Sequence, residues 1–148
     1  MTTTAPPVNA RVIALAHHAG RALAEGVLAR HGVTFHQSVT LRAVVVAGES
    51  IGRDGLVAEV TGSLKTDESF VRGVMEELTA AKLVEEDPAQ ASRIRPTDAG
   101  RDLYATTAAA TAEIAARLYA GIPAEDLAVA GRVLALVTER ANAELDGA

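Results

Sequence analysis

Residues 67–100 constrain the fold most strongly, because three local patterns follow one another there without a gap. The first pattern is a helix from Thr66 to about Ala81. Its apolar residues recur at the three-to-four-residue spacing of one helix face: Val71, Val74, Met75 and Leu78. Thr66 has the side chain of an N-cap, and Asp67 and Glu68 follow in the first turn, near the positive end of the helix dipole. The sequence therefore predicts a helix with one buried face.

A tight hairpin is predicted directly after this helix. Residues 82–86 include the Leu-Val pair of a short strand, residues 87–88 (Asp-Pro) have turn chemistry, and residues 93–95 supply the returning strand. Pro96 ends the hairpin and Thr97 caps the next helix. The order of helix, two-stranded hairpin and helix predicts the second half of a winged helix-turn-helix, which is a DNA-binding architecture.

The rest of the chain is predicted to be helical after a disordered leader that ends at Pro6-Pro7. The run of three valines at 44–46 also fits a strand, so that helix has an alternative interpretation. The predicted fold class is mainly α, with six helices and a short two-stranded wing. Besides the helix from Thr66, the expected helices are 8–30, Thr34 or His36 to Ala47, 50–61 closed by a Gly62 cap, 98–121, and one opening at Pro123.

The long helices at the two ends of the chain are rich in alanine, which buries area only by close approach. A single chain gives their small-residue stripes little to pack against. We therefore assign residues 8–33 and 101–148 to dimerisation and residues 34–100 to the winged helix-turn-helix region, all within one single-domain chain, 1–148. The alternative is a monomeric bundle in which the terminal helices pack on the middle of the chain.

Composition narrows the function classes. The chain of 148 residues has no cysteine, which excludes disulfides, thiolate metal ligands and a cysteine nucleophile. It has no secretory leader pattern and no apolar run of the roughly 20 residues that span a bilayer. We expect a soluble, unprocessed, cytoplasmic protein without membrane contact. No motif of catalysis or phosphate binding is present, so we expect neither an enzyme nor a cofactor.

Charge conflicts with DNA binding. The net charge is −5, and residues 42–101 hold eleven acidic against eight basic residues. Within residues 67–87, seven acidic residues stand against only Arg72 and Lys82. Because DNA affinity depends largely on neutralising phosphates, any contact must come from a local basic surface. Glu76 follows Arg72 at the i to i+4 spacing, so we expect these two side chains to pair.

Six residues are candidates for DNA contact. Two lie at the start of the helix predicted from Thr66 to about Ala81, which would be the recognition helix. There, the free backbone N–H groups of the helix N-terminus and a cation can hold a phosphate. Two lie on its first turns, where a serine or an arginine can reach base edges. The last two alternate with Ile94 and project from one face of the wing strand. In that order, the candidates are Lys65 and Thr66, Ser69 and Arg72, and Arg93 and Arg95. Phe70 is expected in the core.

Four histidines in the first two predicted helices and their connection admit a zinc site or a pH-sensitive switch: His17, His18, His31 and His36. However, His17 and His18 are adjacent and point to different helix faces. We therefore predict no metal site.

The stretch from residue 69 to residue 100 resembles the MarR family of bacterial winged helix-turn-helix regulators. The family pattern of recognition helix, strand and following helix is matched in spacing by Ser69, Val71, Val74, Met75, Leu78, Leu83, Val84, Thr97, Ala99 and Gly100. The resemblance covers residues 10–145. It implies a triangular homodimer in which the terminal helices form the interface. It further implies that each recognition helix enters the major groove and each wing the adjacent minor groove of double-stranded DNA.

The function implied is a ligand-responsive homodimeric repressor that binds a pseudo-palindromic operator. The resemblance also implies a small-molecule effector pocket between the dimer helices and the winged region, near His17, His36, Arg42 or Tyr104. The effector itself is unknown. The alternative is a winged-helix module that binds protein and has weak or lost DNA binding. The direction in which the acidic side chains point discriminates between the two.

The sequence also departs from the family pattern. The turn at residues 62–66 is expected to be longer than usual, and the wing between Asp87 and Thr97 shorter. Residues 90–92 (Gln-Ala-Ser) are expected at the wing tip, so the arginine that would enter the minor groove is either displaced to Arg93 or missing. Gly73 and Glu77 stand where basic residues are frequent.

Overall fold

The computed structural model describes residues 4–148, so residues 1–3 of the expected leader lie outside the described part. Within residues 4–148 the chain forms six helices and one three-stranded antiparallel sheet in the order β1-β3-β2, which confirms a mainly α winged helix-turn-helix. The elements are α1 (Ala10–Arg30), α2 (Phe35–Val46), β1 (Ile51–Gly52), α3 (Arg53–Leu64), α4 (Glu68–Ala80), β2 (Val84–Asp87), β3 (Gln90–Pro96), α5 (Asp98–Tyr119) and α6 (Ala124–Asp146).

Side-chain caps define the starts of the first two helices. Helix α1 begins after Asn9, whose Oδ1 accepts the Val12 N–H at 2.9 Å, slightly later than the predicted residue 8. At α2, Gln37 N–H donates to Thr34 Oγ1 while Thr34 N–H donates to Gln37 Oε1, which is a reciprocal capping box. The three valines at 44–46 belong to α2, so their strand interpretation is wrong.

The third helix differs from its prediction at both ends. Residues 51–52 form β1, which pairs with β3 through Ile51 opposite Ile94, so the wing sheet has three strands and not two. Helix α3 then continues through Gly62 to Leu64, so the predicted Gly62 cap is wrong. The left-handed residue that ends the helix is Lys65, with φ 54°. Leu64, in the last turn of α3, is partly buried against the core, and this contact favours a helix that extends past Gly62.

The core lies between α2, α3, α4 and the sheet. The predicted apolar face of α4 is fully buried, which confirms the spacing argument. Full burial of an aliphatic side chain of this size contributes about 1.5–3 kcal/mol, so the core fixes the outward direction of the opposite face of α4. The clustered residues are Leu41, Val44, Leu56, Val57, Val60, Val71, Val74, Met75, Leu78, Val84 and Ile94.

Helix α4 ends in a Schellman motif that turns the chain into the wing. Leu83 N–H donates to the Leu78 carbonyl and Lys82 N–H donates to the Thr79 carbonyl, each at 3.0 Å. Lys82 occupies the left-handed position with φ 61°, where glycine is the usual residue. Directly after this motif the chain enters β2 at Val84.

A second set of hydrogen bonds joins the wing to α5. Thr97 Oγ1 donates to the Lys82 carbonyl at 2.7 Å and accepts the Gly100 N–H at 3.0 Å, which confirms the predicted Thr97 cap. Thr97 N–H also donates to the Leu83 carbonyl. A Cβ on Gly100 would lie 2.0 Å from the Leu83 oxygen, so only glycine fits there. These contacts fix the start of α5 against the base of the wing.

The contacts divide the chain into two compact units, one up to Glu113 and one from Ile114 onwards. In the second unit, α5 ends at Tyr119 and Gly121 has φ 76°, so the helix is slightly shorter than predicted. Helix α6 carries exposed large apolar side chains, including Leu127, Leu134 and Val137. Among the described residues, no helix is both long enough and apolar enough to cross a bilayer.

Candidate nucleic-acid interface

The outward face of α4 lies opposite its buried stripe and follows from the 3.6-residue period. Its central row consists of Ser69, Gly73, Glu76 and Ala80. Arg72 and Glu77 stand at the two edges of this row. Three of the four central residues are small, so the helix backbone can closely approach a flat partner along this face.

The N-cap of α4 is Asp67, and the prediction of Thr66 is wrong. Asp67 Oδ1 accepts the Phe70 N–H and the Ser69 hydroxyl, both at 2.8 Å. These hydrogen bonds, the Phe70 one foremost, lower the pKa of Asp67 below its usual value. Since α3 ends at Leu64, only residues 65–67 connect the two helices, and the expected longer turn is wrong as well.

Arg72 pairs with Glu68 and not with Glu76, so that part of the prediction is wrong. Its guanidinium lies 2.7 Å from Glu68 Oε1 and 3.1 Å from Asp54 Oδ1 at the start of α3. A glutamate one turn before the cation is better oriented than one a turn after it, which favours Glu68. The hydrogen bonds that Arg72 donates to Glu68, and to a lesser extent to Asp54, raise the pKa of Arg72. Among the described residues, Glu76 has no ion-pair partner.

The two wing arginines share one strand face, as predicted, but they have different partners. Arg93 donates from Nε to Ser50 Oγ at 2.8 Å and from its guanidinium to the Ser50 carbonyl at 2.9 Å. Arg93 therefore ties β3 to the segment before β1. Arg95 donates from Nε to Glu85 Oε1 at 2.9 Å across the β2–β3 ladder.

The wing tip differs from the prediction. Residues 90–92 belong to β3, and the turn consists of Pro88 and Ala89. Asp87 Oδ1 accepts the Ala89 N–H at 2.9 Å, which stabilises this turn. Arg93 consequently lies in the middle of β3 rather than directly after the wing tip.

Arg53 lies beside the candidate interface, although the sequence analysis did not single it out. Its guanidinium donates to Glu86 at 3.2 Å and to the Ala91 carbonyl at 3.3 Å, so it links the start of α3 to the wing. It also lines a surface depression of about 430 Å³, whose other lining residues, including Arg72 and Glu76, all belong to α4. The two-residue strand β1 brings Arg53 beside the wing, and a strand that short gives no periodic signal.

The remaining candidates at the helix approach have structural contacts. Lys65 Nζ donates to the Gly62 carbonyl at 2.6 Å, so it satisfies a carbonyl group in the last turn of α3. Thr66 is partly buried between the helices, whereas Ser69 is exposed but donates its hydroxyl to Asp67.

Phe70 is 42% exposed, so its assignment to the core is wrong. It lies at the edge of the α4 apolar stripe, where its ring contacts His36 edge-on with centroids 4.9 Å apart. The Arg21 guanidinium lies 4.1 Å from the Phe35 ring centroid, and Gln37 donates to Glu77 at 2.7 Å. These contacts attach α2 to α1 and to the outer edge of α4.

No group of three histidine, cysteine or acidic residues in the described part of the chain has the geometry of a metal site. Of the residues expected near an effector, His17 and Arg42 are exposed, and His36 and Tyr104 are half-buried. A separate open cleft of about 740 Å³ lies between the wing and the start of α5, and none of these four residues lines it.

Solved structures share this fold along most of the chain. A MarR-family transcriptional regulator from Rhodococcus sp. RHA1 superposes with a TM-score of 0.72 and 19% identity, covering 86% of this chain and 91% of that one. CouR from Rhodococcus jostii RHA1, bound to p-coumaroyl-CoA, has a TM-score of 0.72 and 18% identity, covering 86% and 88%. A mutant MarR from E. coli complexed with operator DNA has a TM-score of 0.70 and 17% identity, covering 86% and 91%.

No protein-family model matches the sequence, and no curated protein matches it either. The structural matches confirm the resemblance at the level of the fold: the chain has the winged helix-turn-helix fold of MarR-family regulators.

Proposed function

We propose that the protein is a ligand-responsive transcriptional repressor that binds a pseudo-palindromic operator as a homodimer. Helix α4 would enter the major groove, and the β2–β3 wing would contact the adjacent minor groove. The observation that carries this proposal is the outward face of α4 beside a wing, on a fold shared with a MarR protein complexed with operator DNA. The DNA contacts proposed are Lys65, Thr66, Ser69, Arg72, Arg93 and Arg95, joined by Arg53.

The arrangement of the acidic residues supports DNA binding over the alternative of a protein-binding module. Glu68, Glu85 and Glu86 are each drawn to an arginine of the interface. Exposed ion pairs of this kind contribute little to stability, so they exchange readily for phosphate contacts. Only Glu76 presents an unpaired carboxylate at the centre of the α4 face, within residues 4–148.

The homodimer is supported by α6. Its apolar side chains are exposed in the single chain, and a second copy is the partner that a symmetric closed assembly supplies. A small-molecule effector is supported by the ligand-bound relatives: CouR was solved with p-coumaroyl-CoA, and BpsR of Bordetella bronchiseptica is described as regulated by 6-hydroxynicotinic acid. An effector would act by binding more tightly to one separation of the two recognition helices than to another.

DNA binding is tested by selection from random duplex at low salt with the wild type, Arg72→Ala and Arg95→Ala. Arg95 is chosen over Arg93, because Arg93 holds the segment before β1. Each variant should bind more weakly, with a salt slope reduced by about 0.9 for each phosphate that the missing guanidinium no longer neutralises. The DNA-binding proposal fails if no duplex is enriched by the wild type and its salt slope stays near zero.

The dimer is tested by sedimentation of Leu134→Glu, which places a charge on the exposed apolar face of α6. Arg132→Glu, on the polar side of the same helix, is the control. We expect the first variant to sediment as a monomer and the second as a dimer. A dimer that persists in Leu134→Glu contradicts the proposed interface.

A further inference from the structure

Glu76 occupies an unusual position on α4. It lies in the central outward row, and the outward residues one turn before and after it are Gly73 and Ala80. It is therefore the longest side chain of this row and its only ionisable one. Ser69, the fourth member, already donates its hydroxyl to Asp67.

The carboxylate of Glu76 is also available for an intermolecular contact. Glu68, Glu85 and Glu86 are each held by an arginine, whereas Glu76 has no ion-pair partner among the described residues. An intermolecular contact by Glu76 thus costs no internal ion pair. Arg53 and Arg72 line the same surface depression of about 430 Å³ as Glu76, but each guanidinium is already paired with another carboxylate.

The chemistry of the major groove limits what a free carboxylate can bind. An ionised carboxylate only accepts hydrogen bonds, so phosphates, guanine N7 and O6, and thymine O4 are unfavourable neighbours. The matching donor is an exocyclic amine, and the pairing favoured for glutamate is cytosine N4. A site without that amine leaves the carboxylate dehydrated and unpaired, which is costly.

We propose that Glu76 is a specificity-determining residue that accepts a hydrogen bond from the N4 amine of one cytosine in each half-site. This inference rests on the proposed DNA binding and deepens it. Glu76 would then discriminate against base pairs that offer no cytosine N4 amine at that position. A single good base contact discriminates about 5- to 150-fold against the wrong base.

The test is selection from random duplex at fixed low salt with the wild type, Glu76→Gln and Glu76→Ala. Glu77→Gln is the matched control, because it removes the same charge one residue away, where the side chain is bound to Gln37. The wild type and Glu77→Gln should both enrich cytosine at one position of each half-site. Glu76→Ala should lose that preference by about 5- to 150-fold, and Glu76→Gln should move it towards adenine, which an amide reads bidentately.

Two results overturn the inference and remain distinguishable. If Glu76→Gln and Glu76→Ala enrich the wild-type consensus and bind all duplexes more tightly, Glu76 only repels DNA, while the proposed function stands. If the wild type enriches no duplex at all, the proposed function fails and the specificity role fails with it.

Discussion

Replacing Gly100 with alanine tests the joint between the wing and α5. The added Cβ would lie 2.0 Å from the Leu83 carbonyl oxygen, whereas ordinary contacts begin at 3.4 Å. The obstacle is backbone, which cannot rotate away as a flexible side chain does. Either α5 or the end of α4 must move, and this movement breaks the hydrogen bond from Thr97 N–H to the Leu83 carbonyl.

The magnitude follows from three contributions. Overpacking of a well-packed site costs about 1–3 kcal/mol. The broken hydrogen bond costs about 0.5–1.5 kcal/mol more. The better helix propensity of alanine offsets up to about 1 kcal/mol. The central values of these three contributions combine to a destabilisation of about 2–3 kcal/mol.

The assay is urea unfolding followed by far-UV circular dichroism, with all variants at one protein concentration because self-association would change apparent stability. With a urea dependence of about 2 kcal/mol/M, the midpoint should fall by roughly 1–1.5 M. Gly62→Ala is the matched control: Gly62 also lies in a helix, but a Cβ there meets nothing within 4 Å. It should gain about 0.5–1 kcal/mol. Equal midpoints for Gly100→Ala and the wild type would refute the close approach to Leu83.

Three further predictions concern the cap residues and the charges. Lys82→Gly should stabilise the fold by about 0.5–1 kcal/mol in urea unfolding, because φ at this position is 61°, and Lys82→Ala should give no such gain. Folding lowers the pKa of Asp67, so its ionised carboxylate contributes to the free energy of unfolding. This contribution is fully present above the usual pKa of 3.8 and is lost as the pH falls through the lower pKa of the folded state. Across pH 2–6, the urea midpoint of Asp67→Asn should therefore decline less in acid than that of the wild type. The double variant Glu85→Gln, Glu86→Gln removes the ion-pair partners of Arg95 and Arg53, so it should bind DNA more tightly in fluorescence anisotropy, with a salt slope steeper by up to about 0.9 for each arginine freed. Glu59 has no ion-pair partner among the described residues, so Glu59→Gln should change the slope little.

The recognition helix and the wing were predictable because their signals are strong and local. Four apolar residues at helical spacing defined the buried face of α4, and Pro96 with Thr97 marked the junction with α5. The start of α2 was predicted only as Thr34 or His36; the structure decides for Thr34, which is followed by Gln37 at the spacing of a capping box.

The end of α3 and the start of α4 were not predictable, because tertiary packing decided between residues of similar propensity. Gly62 is the better left-handed residue, but packing of Leu64 on the core moves that conformation to Lys65. The shift in turn makes Asp67 the N-cap in place of Thr66, although both residue types cap helices well.

The hydrogen-bond and ion-pair partners of the arginines at the candidate interface could not be predicted from the sequence either. They depend on β1, whose two residues carry no alternating pattern. Without β1, neither the contact of Arg93 with Ser50 nor that of Arg53 with the wing can be anticipated. The pairing of Arg72 with Asp54 depends on the same placement of α3 beside α4.

These pairings bear on how an interface with more acidic than basic residues can select DNA. Non-specific binding comes almost entirely from phosphate contacts, so it is weakened when the arginines already have carboxylate partners. Specific binding also gains from base contacts and groove fit, which these ion pairs leave untouched. Because specific and non-specific binding use the same phosphate contacts, the internal pairs weaken both affinities by a similar factor. Because a repressor must find its site among a large excess of other sequences, the ratio of the two affinities matters more than either alone. The acidity of residues 67–87 is thus compatible with DNA recognition: it lowers the overall affinity, while the base contacts set the selectivity.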